Sequence, residues 1–575
     1  MRAEDRERAI AEVACRLVAD KVAAVAGDGL ESLEALLLDA VYEERLRLEQ
    51  AGRDARAAED RRFIEGVRQR LVHAGPEELK ALLHEVVEHY AREIAGNFDP
   101  RVYQLATRVV PGLLALLLNA LSPQRLLERF PELPSLSTNV NVRGEVEVLR
   151  RLAERGTVIL CPTHLSNLDS PVIGWTLYHV GLPPFLYGAG LNLFSNPLIS
   201  FFMHNLGAYK VDRKKKARLY KDTLKEYCTV SLEYGYHNLF FPGGTRSRSG
   251  GVEPHLKLGL LGCGLRAFVN NLRRHAERPD IYVVPATISY GLVLEAETLI
   301  DDYLKETGRA RYIIEDDESS RLSRVASFFR GIVNLDSRIY VTFSQPLDLF
   351  GNRVEADGRS YDRRGRPIDT RRYVMRGGEP VHDPQRDAEY TRELGEQVRA
   401  AFVRDNVLQA THLAAFTLFE MLWRRFSERD LYHLLRTPPE LTLLAVHEVR
   451  AALDRVLARV RELVAQSRLR LDPRIHDATA EAVLAEAVRV LGTYHPRAVL
   501  RRVGDRVGAG DLNLLFYYHN RAAGYGLERA VVPEARAVPA FDLSRRPSGE
   551  PLLPPSEPPP QIRPPVPAGL EELVA

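Results

Sequence analysis

The sequence predicts an α/β protein in which a mixed β-sheet covered by helices is flanked by N- and C-terminal helical regions. Two observations carry this. Between residues 139 and 347 short β-rich runs (TVILCPT, PPFLYGAG, HNLFFPGG, IYVVPATISY and RIYVTFSQPL) alternate with helical stretches, the pattern of strands layered with helices. On either side, apolar residues recur at three- and four-residue spacing among Arg and Glu, as one-sided helices require.

Residues 1–138 read as a helical N-terminal region, with Ile10, Val13, Leu17, Leu36, Leu37, Val41 and Leu46 on apolar stripes. The α/β domain spans 139–350. Residues 351–384 turn to Gly, Asp, Arg and Pro and read as an exposed loop or linker. Helical spacing returns over 385–537, around Leu408, Leu413, Phe416, Phe419 and Leu422 and again over 478–491. The tail, 538–575, is too rich in proline for helix or sheet ladders and is expected to be polyproline or disordered.

The chain has 575 residues, 45% hydrophobic and 27% charged, an ordinary globular balance sufficient for roughly three to five units. Lys+Arg 79 against Asp+Glu 77 leaves a formal charge of +2, so no nucleic-acid partner is expected from overall charge. Cys15, Cys161, Cys228 and Cys263 are widely spaced, without metal-ligand patterning, and fit a reducing compartment. The charged N-terminus lacks the apolar core of a signal peptide. The longest apolar stretch, 109–121, is broken by Pro111, Gly112 and Asn119 and falls short of the ~20 residues that span a bilayer. The expected location is peripheral, on the cytoplasmic side of the membrane, without a transmembrane helix.

Strand-like Val158–Leu160 runs into CPTHLSNLDS, placing His164 and Asp169 in an H-x-x-x-x-D pattern at a strand-to-helix junction. A histidine oriented by a carboxylate can take a proton from a hydroxyl. Taken alone, the pattern equally describes a surface histidine and a helix-capping aspartate. Further on, HNLFFPGGTRSRSG breaks into glycines followed by Arg246 and Arg248, with Lys257 beyond. Backbone N–H groups of a glycine turn and guanidinium forks suit a phosphate; the plain structural reading is a solvated basic loop. Between them, GAYKVDRKKKAR holds the densest basic cluster, Lys210, Arg213, Lys214, Lys215, Lys216 and Arg218, which would attract anionic lipid headgroups or form a solvated face. With the apolar segment 191–206 before it, the cluster resembles an interfacial anchor with a charged collar; the competing reading of that segment is a buried core helix. Histidines at 204, 237 and 255 stand singly, so no metal is expected, and no dinucleotide or P-loop glycine pattern occurs.

These blocks, HLSNLD, GAYKVDR, FPGGTRSRSG and VVPATISY in that order, resemble the glycerol-3-phosphate acyltransferase family within the glycerolipid acyltransferases. The likeness covers roughly residues 146–425. It implies that His164 is the base activating the acceptor hydroxyl and Asp169 its partner, with direct attack on an acyl thioester and no covalent enzyme intermediate. It implies that Arg213, Arg246, Arg248 and Lys257 hold the acceptor phosphate, that Gly244 and Thr245 shape the turn, and that Pro285 lines the acyl-donor side. The implied partners are glycerol-3-phosphate, acyl-CoA or acyl carrier protein as co-substrate, and an anionic membrane surface; no cofactor is implied. The sequence departs from the family pattern at Gly243, where a glutamate is usual, and at Lys210. Glu253 and Glu233 are the acids nearby in sequence that could take over from the missing one. The competing readings are acylation of dihydroxyacetone phosphate or lysophosphatidate, and a membrane-associated scaffold that keeps the fold without catalysis.

Overall fold

The computed structural model describes residues 1–26, 32–50, 55–104, 140–190, 205–307, 338–426 and 430–531. The apolar stretch at 109–121, most of the expected anchor (191–204) and the proline-rich tail lie outside them.

The strand-like runs form one seven-stranded sheet built from β1 (Val140–Gly144), β2 (Thr157–Pro162), β3 (Leu186–Gly190), β4 (Ala208–Val211), β5 (Asn238–Leu239), β6 (Ile281–Tyr290) and β7 (Ile339–Phe343) in the order β1-β7-β6-β2-β5-β3-β4. β2, β6 and β7 are buried along their whole lengths. This is why their sequences are continuous apolar runs rather than alternations: both faces of the sheet are covered. β2 to β6 all run parallel, whereas β1 and β7 pair parallel with each other and β7 runs antiparallel to β6. The carboxyl ends of five neighbouring strands therefore open on a single edge.

In the N-terminal region, helices α1 (Ala3–Ala26), α2 (Leu33–Gln50), α3 (Ala55–Leu71) and α4 (Pro76–Ile94) share a core with Tyr209 of β4 and with Tyr220 and Tyr227 of a later helix. The domain's own helices are α5 (Val146–Arg155), α6 (Asp169–His179), α7 (Arg218–Glu233), α8 (Gly262–Arg273) and α9 (Ala296–Thr307). Beyond them come α10 (Pro384–Arg404), α11 (Ala410–Arg425), α12 (Leu431–Leu435), α13 (Val446–Ala465), α14 (Ala480–Leu491), α15 (Leu512–His519) and α16 (Glu528–Val531). α10 starts at a proline after Asp383, whose side chain accepts the N–H groups of Gln385 and Arg386, a helix start of the usual N-cap kind. A continuous apolar core joins Val158, Leu160, Val284 and Val341 of the sheet to Leu413 and Phe416 of α11, Leu453 of α13, Leu484 of α14 and Phe516 of α15.

Two expectations are corrected. The stretch 351–384 is not an irregular exposed loop: Arg353–Val354, Ser360–Tyr361 and Pro367–Ile368 form one antiparallel set and Met375–Arg376 pairs with Glu379–Pro380, while Val354 and Val374 are fully buried. Its Gly and Asp residues are turn residues, with Asp357 and Asp362 accepting the N–H groups of Arg359 and Arg364, as side-chain-closed turns require. The basic run after β4 is not a uniform solvated face either. Lys215 is 3% exposed, bonded to Glu93, 3.4 Å from Glu44, and over the rings of Tyr90 and Tyr220. It ties the sheet domain to α2 and α4 and is unavailable to a lipid surface, whereas Arg213, Lys214, Lys216 and Arg218 are exposed.

Candidate active site

Because β2, β4, β5 and β6 end on the same sheet edge, the segments that follow them converge there, where parallel sheets present ligand-binding groups. His164 follows β2, Arg213 follows β4, Phe241 to Arg248 follow β5, and Tyr290 ends β6. The His164 carbonyl accepts the N–H of Ser247 at 2.7 Å, which joins the first loop to the third.

Asp169 opens α6 and is fully buried. Its Oδ2 lies 2.8 Å from His164 Nδ1 and accepts the N–H groups of Leu165 (2.6 Å) and Ser166 (2.9 Å), while Oδ1 accepts the Tyr290 hydroxyl at 2.8 Å. A carboxylate held this way accepts from Nδ1–H, leaving Nε2 as the proton-accepting nitrogen. The histidine side chain keeps 13% exposure and stacks on Phe241 with ring centroids 4.1 Å apart. Burial is the main cause that pulls its pKa below the usual value, opposed by Asp169 and helped by the charges of Arg246 and Arg213. The ring is thus neutral, and basic, at neutral pH.

The turn after β5 is fixed from several sides. Gly244 has φ of +75°, and a Cβ there would stand 2.6 Å from Cδ of Lys257, whose side chain lies across the turn. The positive φ is what favours glycine here, since the lysine side chain could swing aside. Thr245 is partly buried beside it. Arg246 Nη1 lies 3.7 Å from the buried Glu295. Glu295 also accepts the Ser166 hydroxyl at 2.7 Å and the Asn167 N–H at 3.1 Å, so one carboxylate orients both the histidine loop and the arginine. Arg248 pairs with Glu306 of α9 at 2.5 Å. Burial is the main cause that lowers the pKa of Arg213, and repulsion from Arg246 and Arg248 adds to it, as befits cations gathered around a place for an anion. Pro285 stands apart: it is buried in β6 in register with Cys161 and presents no open surface. Of the two acids near Gly243 in sequence, Glu253 reaches the site and accepts the His164 N–H at 2.6 Å. Glu233 does not; it is engaged by Arg16, Asn270 and Arg274.

Sequence reasoning did not single out Tyr290, Glu295, Phe241 or Arg521. Tyr290 closes the VVPATISY block and Phe241 opens FPGGTRSRSG, so their neighbourhood was marked. Arg521, only 3% exposed, comes from beyond α15 and donates to the Ile288 carbonyl at 3.1 Å; nothing in its local sequence announces this.

Residues 139–289, which carry most of this edge, match the family described as Acyltransferase. That domain is related to the glycerol-3-phosphate acyltransferases. The chain is 32% identical over 216 residues to the glycerol-3-phosphate acyltransferase of Aeromonas hydrophila subsp. hydrophila, the match covering 37% of this chain and 24% of the relative. Against the enzyme of that name from Haemophilus ducreyi it is 33% identical over 217 residues, covering 37% and 24%. Against that from Pseudomonas paraeruginosa it is 28% identical over 225 residues, covering 38% and 25%. The match therefore spans about a quarter of the length of these curated relatives. Among the described residues no helix is long and apolar enough to cross a membrane.

Proposed function

We propose that this protein transfers a fatty acyl group from an acyl thioester, of coenzyme A or acyl carrier protein, to a hydroxyl of glycerol-3-phosphate, giving lysophosphatidate. The observation that carries the reading is the His164–Asp169 pair at 2.8 Å on the strand edge where Arg213 and Arg246 also act on the ring electrostatically. Nε2 of His164 takes the proton of the acceptor hydroxyl as its oxygen attacks the thioester carbonyl carbon. The C–O bond forms, the C–S bond breaks, and the proton passes from the imidazolium to the departing thiolate. Asp169 fixes the ring tautomer and stabilises its charged form. Arg213 and Arg246, with Arg248 and Lys257 at the rim, hold the phosphate.

The exposed side chains of Lys214, Lys216 and Arg218 support a peripheral attachment to anionic membrane surfaces on the cytoplasmic side, of a kind that weakens as salt screens charges over ~10 Å at about 0.1 M. The test incubates purified protein with both thioester donors and with glycerol-3-phosphate, dihydroxyacetone phosphate and lysophosphatidate, using His164→Ala as blank. Transfer to glycerol-3-phosphate above the blank supports the reading. Transfer only to another acceptor reassigns the substrate, and no transfer with any pair favours the scaffold.

A further inference from the structure

The segment from α15 to Arg521 docks on the loop that carries Glu253. A Cβ on Gly250 would meet the Tyr517 carbonyl at 2.4 Å, and Gly250 has φ of +81°, so only glycine allows the approach. Asn520 Nδ2 donates to the Ser249 carbonyl at 2.8 Å. This seats Arg521 against a small, half-open cavity lined also by Leu165, Gly250, Tyr290, His412 and Tyr517. Arg521 spends one nitrogen on Ile288, and its buried Nε and Nη1 have no hydrogen-bond partner among the described residues. Glu253 likewise uses Oε1 on the His164 N–H, while its buried Oε2 is unpartnered. A buried guanidinium and a buried carboxylate on two docked segments, each with spare valence, would cost several kcal/mol apiece if isolated. Of the charges facing Arg521, Glu253 does most to hold its proton, ahead of Tyr525, Tyr517 and Asp169.

We propose that Arg521 is a positioning residue of the acyl-transfer site: its buried guanidinium is the countercharge for Glu253, whose carboxylate fixes the backbone of His164. The C-terminal region thereby takes part in the chemistry without touching substrate. This rests on the function proposed above. The groups facing Glu253 are the His164 N–H, Arg521 and Asp169, and those facing Tyr517 beside them include Glu295 and Arg246. Burial pushes Glu253 up to about 7, with Arg521 opposing the rise. Without Arg521 the carboxyl stays protonated to higher pH and holds His164 less firmly.

The experiment compares full-length wild type with Arg521→Gln, Arg521→Lys, Glu253→Gln and the double variant Arg521→Gln/Glu253→Gln. In the rate profile, Arg521→Gln displaces upward, by about one unit, the step in kcat that Glu253 sets above the lower limb of the His164 ring, the low end of what a lost neighbouring charge does, with little change in KM. Arg521→Lys restores most of the position, and the double variant is no worse than Glu253→Gln. A second readout needs no activity. A Glu253 proton held more tightly in the folded than the unfolded chain makes stability fall as pH rises through the folded pKa. The melting temperature of Arg521→Gln relative to wild type therefore falls between pH 6 and 9, and this fall is absent when both proteins also carry Glu253→Gln. A wild type inactive toward every substrate pair defeats the proposed function, while the melting series still decides the Arg521–Glu253 link. A pH-independent melting difference, or a Glu253 step left in place in an active variant, overturns the inference.

Discussion

The Cγ of Glu253 lies 3.0 Å from where a Cβ on Gly243 would stand. The carboxylate that accepts the His164 N–H thus arrives through the space a side chain at 243 would use. The resemblance implies a glutamate at position 243, and Glu253 brings a carboxylate to the same place from another point of the chain. Gly243→Glu alone is expected to lower acyl transfer by crowding Glu253, and Glu253→Gln alone to lower it by weakening the grip on His164. Combining Gly243→Glu with Glu253→Gly should recover activity above either single change, as measured by initial rates. A restoring Gly243→Glu in an otherwise inactive chain would instead mark a disabled relative.

His164→Ala is expected to remove about 10²–10⁴ of the rate, the usual worth of a general base, with the melting temperature little changed because the ring is at the edge of the core. Asp169→Asn should be comparably impaired, since an amide cannot enforce the same tautomer. It should also melt lower, because the lost carboxylate serves two backbone N–H groups and Tyr290 as well. Near-native turnover by His164→Ala would rule out the base assignment.

Because burial lowers the His164 pKa from 6.5, the acid limb of kcat/KM governed by this ring should fall below that value. Arg246 contributes to the lowering. Neutralising it as Arg246→Gln leaves the imidazolium less repelled, raises the ring pKa and shifts that limb upward, whatever happens to the amplitude. A limb that stays put would show that another group controls it.

Arg246→Ala is expected to raise KM for glycerol-3-phosphate well above any change for the acyl donor, since the lost guanidinium fork serves the phosphate side alone. Saturation curves in each substrate make the comparison. If only the donor constant moves, the basic pocket has been assigned to the wrong substrate.

Lys215→Met should destabilise the folded chain by about 1–3 kcal/mol in denaturant titration, the scale for removing one partner of a buried charged hydrogen bond, because Glu93 loses its bond to the ammonium while Glu44, 2% exposed, is left with Arg47 as its cation. Vesicle binding should respond differently. Lys214→Ala with Lys216→Ala is expected to weaken flotation on anionic vesicles while leaving stability nearly unchanged. Equal effects of the two sets on flotation would argue against an exposed basic contact.

The sheet is legible in the sequence because burial on both faces leaves continuous apolar runs such as IYVVPATISY, and the helices because their stripes keep three- and four-residue spacing. The proximity of His164 and Asp169 is legible because a strand end and a helix start are near in sequence. What is not legible depends on distant partners. Lys215 sits in a lysine run that reads as solvated, yet its partner Glu93 lies 122 residues away. Tyr290 meets Asp169 across 121 residues, and Arg521 reaches Ile288 across 233. The hairpins at 351–384 are not legible for a different reason: turn residues dominate where strands are only two residues long, so no apolar period can develop.

The shared core of sheet and C-terminal helices bears on how such a protein can be cut or shuffled. Leu413, Phe416 and Phe516 fill the same interior as Val158 and Val341, so a fragment ending near residue 350 would bare an apolar wall and aggregate. Heating should melt the two parts together in one transition. In any lineage that exchanged its C-terminal half, the replacement would have to arrive with a matching hydrophobic face, which makes this boundary a poor place for recombination.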